Sequence, residues 1–379
     1  MSRRRIQMVD LQSQYHRLET EIDKGIKAVL CSGQFINGEP VKQFAAHLAA
    51  YLNVPYVIPC GNGTDALQIS LMSLHLSPGD EVITTPFSFI AAAEAIALLN
   101  LTPVFVDVEA DTFNIDISRI EQKITSRTKV LLPVHLFGQC CNMQSLLSFA
   151  GTYHLHVIED ACQSLGARYR MSSGEEYHAG TMGNIGCTSF FPSKNLGCYG
   201  DGGAIFTRDT LLADTAKSIA SHGQSTRYRH DRIGMNSRLD SLQATILDIK
   251  LPYLDIFNER RRKIATAYNE AFAHNEHLLL PNMPEDRSHV FHQYTLRLQG
   301  KNREACIQAL NEAGIPAMIY YPVPLHLQKV FANYGYRQGD FPVAEQLCQT
   351  VLSLPICPEL DNQQLDYITD IFLKIIKKI

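Results

Sequence analysis

From about residue 55 the chain alternates short apolar, β-branched runs with longer segments whose apolar residues recur at helical spacing. "YVIPC" (56–60) leads into "TDALQISLMSLHL" (64–76), "EVITTP" (81–86) into "SFIAAAEAIALLN" (88–100), and "TPVFVDV" (102–108) follows. The rhythm continues through "TKVLLPVHLF" (128–137), the helical "MQSLLSFAGTYH" (143–154) and "HVIEDA" (156–161). Strands separated by helical segments of this length imply parallel pairing with crossover helices. "GCTSFF" (186–191) and "GGAIFT" (202–207) are close enough to pair locally, so the expectation is an α/β fold with a mostly parallel sheet of about seven strands and helices on both faces.

After about residue 240 the texture changes. "DSLQATILDIKLPYLDIFNERRRKIATAYNEAFA" (240–273) reads as helix with Pro252 to kink or break it, followed by the strand-like "FHQYTLRL", the helical "REACIQALNEAGI" and the Pro-rich "YYPVPLH". This predicts a large domain over 1–250 and a smaller α+β domain over 251–379.

Composition narrows the function. A net charge of −4 leaves no basic excess to neutralise a phosphate backbone, so nucleic acid is not an expected partner. Three arginines near the start have no apolar run behind them, which argues against a secretory leader, and "FIAAAEAIALLN" is too short for a bilayer and carries Glu94. The ten cysteines are scattered without a CxxC pair, which fits neither a zinc site nor a disulfide framework and suits a reducing cytoplasm. No metal is expected.

"GNGTDA" (61–66) fits G-x-G-x-x-A between a strand and a helix, the setting of a dinucleotide fingerprint. That chemistry also needs an acid at the end of the next strand for the ribose, and "EVITTP" ends in Thr84, Thr85 and Pro86. What survives is a helix start at Gly63 and Thr64 whose backbone N–H groups can hold one phosphate; the competing reading is an ordinary turn with Thr64 as N-cap.

Lys194 stands in "TSFFPSKNLGCYGDGGAIFT" (188–207), between an apolar run and a glycine-rich loop. A solvated charge is the ordinary reading of such a lysine. A lysine with a lowered pKa instead forms Schiff bases with carbonyls, pyridoxal phosphate (PLP) among them. PLP needs a carboxylate opposite its pyridine nitrogen, and Asp160 lies where an apolar strand ends, although it could instead cap the next helix. Phe87 and Phe89 follow another strand and offer a flat partner for the ring, with plain core packing as the alternative. Ser189 joins Gly63 and Thr64 as a phosphate donor.

"GTDAL" (63–67), "FSFIAAAEA" (87–95), "EDACQSLGA" (159–167), "TSFFPSKNLGCYGDGGAIFT" and "MNSRLDSLQA" (235–244) together resemble the PLP-dependent nucleotide-sugar aminotransferases of the DegT/DnrJ/EryC1/StrS family. The resemblance runs from "VDLQSQY" at residue 9 to "SLPICPEL" at 353. It implies the type I (aspartate aminotransferase) fold and a homodimer with shared active sites. It makes Lys194 the Schiff-base lysine, Asp160 the pyridine-nitrogen partner, Gln163 the neighbour of the ring substituents, Phe89 the stacking aromatic, and Gly63, Thr64 and Ser189 the phosphate contacts.

Asn236 becomes a phosphate contact and Arg238 a substrate contact, both donated by the neighbouring subunit. Read alone, Asn236 is a turn residue and Arg238 a partner for Asp240. Tyr320, Tyr321 and His326 of the Pro-rich turn fall on the substrate side. The implied reaction carries an amino group from L-glutamate, through the pyridoxamine form (PMP) of the cofactor, to a keto sugar nucleotide.

The stretches around Lys194 and Arg238 look most like bacterial enzymes that aminate UDP-2-acetamido-2-deoxy-3-oxo-glucuronate for O-antigen sugars. Arg227, Arg229 and Arg238 offer guanidiniums for a carboxylate or diphosphate. Tyr320 departs from the His-Tyr pair of those enzymes, which keeps 3-keto and 4-keto 6-deoxyhexose nucleotides open. A non-catalytic, PLP-bound regulator is the reading of another class.

Overall fold

The computed structural model describes residues 6–379; Arg3, Arg4 and Arg5 of the arginine-rich start lie outside the described residues. The apolar runs form a seven-stranded sheet. Its strands are β1 (Tyr56–Cys60), β2 (Glu81–Thr84), β3 (Thr102–Phe105), β4 (Thr128–Leu131), β5 (His156–Asp160), β6 (Ile185–Ser189) and β7 (Gly203–Thr207). They lie in the order β1-β7-β6-β5-β4-β2-β3. β2 pairs in parallel with β3 and β4, β4 with β5, and β5 with β6; β7 runs antiparallel to both β1 and β6.

This order removes the dinucleotide reading a second time. β1 sits at one edge and β2 near the other, so the Gly61–Ala66 turn is not the crossover between neighbouring parallel strands that such a site requires.

Side chains alternate across the sheet with period two and are buried on both faces. Ile58, Val82, Val130, Ile158 and Ile205 point to the face covered by the helices Gly63–Ser73, Ala91–Leu98 and Thr210–Ala220. Ile83, Leu131 and Val157 pack with Met143, Leu146 and Ala150 of the helix Met143–Tyr153 on the other. At the β1 edge, Val57, Ala204 and Phe206 on this second face meet Phe44, Leu48, Ala244 and Leu247 from the helices Glu39–Leu52 and Ser241–Lys250.

Pro252 sits in a 3-10 turn, Leu251–Tyr253, between Ser241–Lys250 and Leu254–Phe272, which is the break its missing N–H demands. Beyond it a three-stranded antiparallel sheet (Leu278–Leu279, Tyr294–Leu298, Val351–Leu354) builds a second core with Tyr268, Phe272, Ile368 and Phe372, which Ile6 joins. The chain then returns to the large sheet: Leu325, Phe331, Phe341 and Leu347 belong to its core, and buried Asp107 accepts the Val343 and Ala344 N–H groups at 3.0 and 2.9 Å. This return lays residues 319–326 beside the β2 end, where Leu325 N–H donates to the Pro86 carbonyl at 2.8 Å. Among the described residues no helix is long and apolar enough to cross a membrane.

Candidate active site

Three chain reversals at the strand ends build the site. β5 ends in Asp160, whose backbone is fixed on both sides: its N–H donates to the Pro133 carbonyl at 2.9 Å and its carbonyl accepts from His135 N–H at 3.0 Å. The buried carboxylate takes one N–H, from Cys162 at 3.1 Å, and the Cys162 thiol lies against it; no lysine, arginine or histidine pairs with it within ion-pair distance among the described residues.

β6 ends in Ser189, and the chain crosses to β7 through a loop closed by Phe190 N–H on the Gly202 carbonyl (2.7 Å), Lys194 N–H on Phe191 (2.8 Å) and Cys198 N–H on Phe190 (2.8 Å). Asn195 Nδ2 ties the loop to the Val290 carbonyl at 2.9 Å, and buried Lys250 donates to the Gly197 carbonyl at 2.6 Å. Lys194 is thus held on a braced turn. Burial pushes its amine below the ordinary lysine value, against the pull of Cys162 and Asp160. The Cys162 thiol is itself driven well up by burial, so Asp160 is the standing negative charge that Lys194 feels.

The phosphate cradle forms at the third reversal. Asn62, not Thr64, caps the helix Gly63–Ser73, its side chain accepting Asp65 N–H at 2.8 Å; Thr64 lies inside the first turn. An Asn carbonyl reaches N3 as readily as a hydroxyl does, so the type of residue did not single out the cap. The N–H groups of Gly63 and Thr64 have no partner among the described residues and stand free for an anion. A Cβ on Gly63 would lie 2.8 Å from Ser189 Cβ and 2.9 Å from Cys162 Sγ, so glycine is what lets the helix start approach the β6 end and the Asp160 turn.

Gln163 joins the walls, accepting Phe137 N–H at 2.8 Å and donating to the Tyr321 hydroxyl at 3.1 Å. The two phenylalanines separate cleanly. Phe87 is core, in contact with the rings of Phe113, Phe137 and Tyr321, whereas Phe89 is 57% exposed with its ring 6.3 Å from that of Tyr321. Burial raises the Tyr320 hydroxyl, which Gln293 contacts, and drives Tyr321 further up.

The structure does not bring His326 to this cluster. It is buried against Phe341 with Nε2 3.0 Å from Glu345, behind the β3 edge. Asn236 is exposed and Arg238 half-buried; no ion pair joins Arg238 to Asp240 among the described residues. Their neighbour Ser237 clasps the chain's own cradle, donating to Asp65 at 2.6 Å and accepting Gly61 N–H at 2.9 Å. Arg227 and Arg229 lie on the exposed segment 224–230, where Arg227 lines a cleft of about 630 Å³ with Lys217 and Arg232.

Sequence reasoning missed Ser237, Lys250 and Cys162. Ser237 and Cys162 lay inside motifs already singled out, "MNSRLDSLQA" and "EDACQSLGA", so both were open to a reading. Lys250 sits on an amphipathic helix, where nothing local marks it.

The free N–H groups, the sparsely bonded Asp160 carboxylate and the lysine with a lowered pKa match the phosphate, pyridine nitrogen and aldehyde of PLP, so the residues fit that cofactor. The comparisons agree. The chain is 44% identical over 367 residues to a pleiotropic regulatory protein of Geobacillus stearothermophilus, covering 96% of this chain and 97% of the relative. It is 43% identical over 366 residues to the UDP-2-acetamido-2-deoxy-3-oxo-D-glucuronate aminotransferase of Pseudomonas aeruginosa (96% and 98%). It is also 43% identical over 360 residues to the UDP-N-acetyl-3-dehydro-alpha-D-glucosamine 3-aminotransferase of Acidithiobacillus ferrooxidans (95% of each).

Among solved structures, S. venezuelae DesV, in complex with a ketimine intermediate, superposes with a TM-score of 0.94 at 37% identity over 99% of both chains. The Bacillus subtilis ntda structure, with bound cofactor PMP, gives 0.89 at 32% over 98% of this chain and 83% of that one. The fold is that of the PLP-dependent aminotransferases, and the enzyme is a PLP-dependent sugar aminotransferase. Residues 16–373 match the family as a whole, and the chain belongs to the DegT/DnrJ/EryC1/StrS aminotransferase family.

Proposed function

We propose that the enzyme moves an amino group from L-glutamate to C3 of a UDP-linked 2-acetamido-2-deoxy-3-oxo sugar, with the glucuronate as the preferred substrate. The observation that carries the chemistry is the Lys194 amine, lowered by burial and set beside the Asp160 carboxylate, which has only Cys162 as a protein donor. The sugar rests on two relatives of equal identity whose names share UDP, the acetamido group and the 3-oxo position.

When bound, PLP supplies the electron sink that makes a carbanion at the donor Cα tolerable. Lys194 anchors the cofactor, and its freed Nζ takes the proton from the donor Cα and returns it, first for glutamate and then, in reverse, for the sugar. Its lowered pKa supports this, because a larger share of the amine is neutral and able to accept a proton near neutral pH. Asp160 holds the proton on the pyridine nitrogen. The Gly63 and Thr64 N–H groups and the Ser189 hydroxyl would hold the phosphate, Gln163 and Tyr321 would flank the ring, and Phe89 would shield it from water.

In the proposed dimer, Asn236 completes the partner's phosphate site and Arg238 meets the substrate. Exposure of Asn236, with Phe89 and Phe191 at 57% and 52%, supports a covering surface there.

A single-turnover experiment tests the proposal. The protein is converted to its amino form with glutamate, the donor removed, and the cofactor absorbance followed after adding each keto sugar. Return with the 3-oxo-glucuronate derivative alone is the expected result. Equal return with the uncharged 3-oxo sugar removes the carboxylate preference, and return only with a 6-deoxy keto sugar sinks the substrate assignment. The relative named as a regulatory protein gives a second reading, a PLP-bound regulator, which predicts no conversion by glutamate at all.

A further inference from the structure

Lys194 and Asp160 stand on separate chain reversals, yet they serve opposite ends of one flat ring, the aldehyde of PLP and its pyridine nitrogen. Their two turns must therefore keep a fixed separation. The ladder between β5 and β6 ends at Asp160 and Cys187, well short of Lys194, so the turns beyond it need another tie.

A run of side-chain amides supplies it. Asn195, the residue after Lys194, donates from Nδ2 to the Val290 carbonyl at 2.9 Å and to Asn258 Oδ1 at 2.6 Å. Asn258 passes the link on, donating from its own Nδ2 to the Leu165 carbonyl at 3.2 Å, in the turn that follows Asp160 and Gln163. On the other side Val290 N–H donates to the Gly138 carbonyl at 2.9 Å, and Phe137 N–H to Gln163 at 2.8 Å. The bonds close a ring through Gln163, Leu165, Asn258, Asn195, Val290 and Phe137.

Both amides are held in one orientation. Backbone carbonyls stand at the two ends and can only accept, so Asn195 turns its NH₂ to Val290 and meets Asn258 with the second hydrogen, and Asn258 keeps its own NH₂ for Leu165. The arrangement has a cost, since Asn195 Oδ1 is left buried without a hydrogen-bond partner among the described residues. A buried orphan is tolerated where the rest of the network over-determines it, and here both hydrogens of the same amide are spent on the tie.

The element that carries the tie is rigid. Asn258 is 1% exposed on the helix Leu254–Phe272, and Arg261, one turn along the same face, donates to the Phe291 carbonyl at 3.1 Å. Gly166 admits it, because a Cβ there would collide with Asn258 Nδ2. We propose that Asn258 is a positioning residue of the transamination, a bridge that fixes the Lys194 turn against the Asp160 turn and so places the lysine amine for proton transfer. The inference rests on Lys194 being the covalent lysine. A neutral amide suits this place, since it ties the turns without adding a charge beside either group.

The cofactor-free protein gives the first reading. The Lys194 and Ala167 N–H groups, which donate to the Phe191 and Ser164 carbonyls, report the two turns. In N258A both should exchange for deuterium about tenfold faster or more, while the amides of Leu254–Phe272 keep their wild-type rates. Faster exchange at one turn alone, or at neither, overturns the bridge. N258D keeps the volume and the acceptor for Asn195 but loses the donor to Leu165, so the same two-sided loosening is expected of it and the test stands even where N258A does not fold.

With PLP bound, the rate of the glutamate half-reaction should fall about 10–100-fold, the cost of a misplaced reacting group, while the glutamate concentration for half-maximal rate stays within about twofold of wild type. Deuterium at the glutamate Cα should slow N258A by a larger factor than wild type, because proton transfer is the step that suffers. A weaker glutamate affinity at unchanged rate, or an isotope effect no larger than in wild type, overturns the proposal; loss of folded protein lowers the amplitude and moves neither quantity. Borohydride reduction of PLP-loaded wild type, with the modified peptide mapped, tests the underlying reading separately. Label on another lysine removes the role of Lys194 while the exchange result at the two turns still stands.

Discussion

Glu159 and Asp160 are adjacent carboxylates at the end of one strand, pointing to opposite faces, and they have opposite fates. Glu159 is fully buried and saturated: His135 Nε2 lies 2.8 Å away, and the N–H groups of Gly180, Met182 and Gly183 donate at 2.9, 2.7 and 2.6 Å. His135 accepts Cys141 N–H on Nδ1 at 3.1 Å, so its Nε2 carries the hydrogen toward Glu159. Asp160 has only one residue, Cys162, as its protein donor and faces a lysine that the site holds below its ordinary pKa. A saturated carboxylate locks loops together, whereas an under-satisfied one is reserved for a ligand.

Substitutions can break this comparison or sharpen it. The largest expected effect is on the ligand face. Lys194→Ala should abolish turnover, a loss of at least about 10⁴-fold, because anchor and base vanish together; a normal steady-state rate with folded protein would overturn the assignment. Asp160→Asn should cost on the order of 10²-fold or more in kcat with little change in melting temperature, as for other lost partners of developing charge.

Glu159→Gln reverses the pattern. Removing a carboxylate with four donors should cost roughly 3–5 kcal/mol of stability, seen as a lower denaturation midpoint, with activity falling only as folded protein is lost. If activity fell while stability held, the two faces would not be distinct.

The smallest effect comes from Lys250, a second lysine lowered by burial, to about 8, but one whose amine already has the Gly197 carbonyl and the Tyr199 ring, 4.5 Å from its centroid. The folded value lies below the unfolded one, so the unfolded chain binds more protons between the two. Stability contributed by this group therefore rises as pH climbs from about 8 toward about 10. Melting curves of wild type and Lys250→Met across that range should diverge in that sense, and parallel curves would contradict it.

Local pattern carried much of this into view. The short apolar, β-branched runs between helical segments marked the seven strands, and strand-end placement of Asp160 with a lysine in a glycine loop pointed to the cofactor, because these are features of local sequence. The local β6–β7 pairing was legible, but the distant one was not: β1 sits beside β7, about 145 residues away in sequence, because register between distant strands is set by packing that no short window contains. For the same reason the Ser237 clasp, which joins residues 172 positions apart, emerged only from the fold. His326 shares the Pro-rich turn with Tyr321 but its ring faces Glu345, a placement set by the packing of the returning chain and not by the motif.

One bond has a use of another kind. The Phe137 N–H is donated to the Gln163 side chain, and Gln163 is tied in turn to the Tyr321 hydroxyl across the seam between the large sheet and the returning chain. That amide therefore exchanges its hydrogen for deuterium only when a side chain lets go. Its exchange rate is a built-in clock for opening of the pocket wall, readable in solution without substrate or added probe.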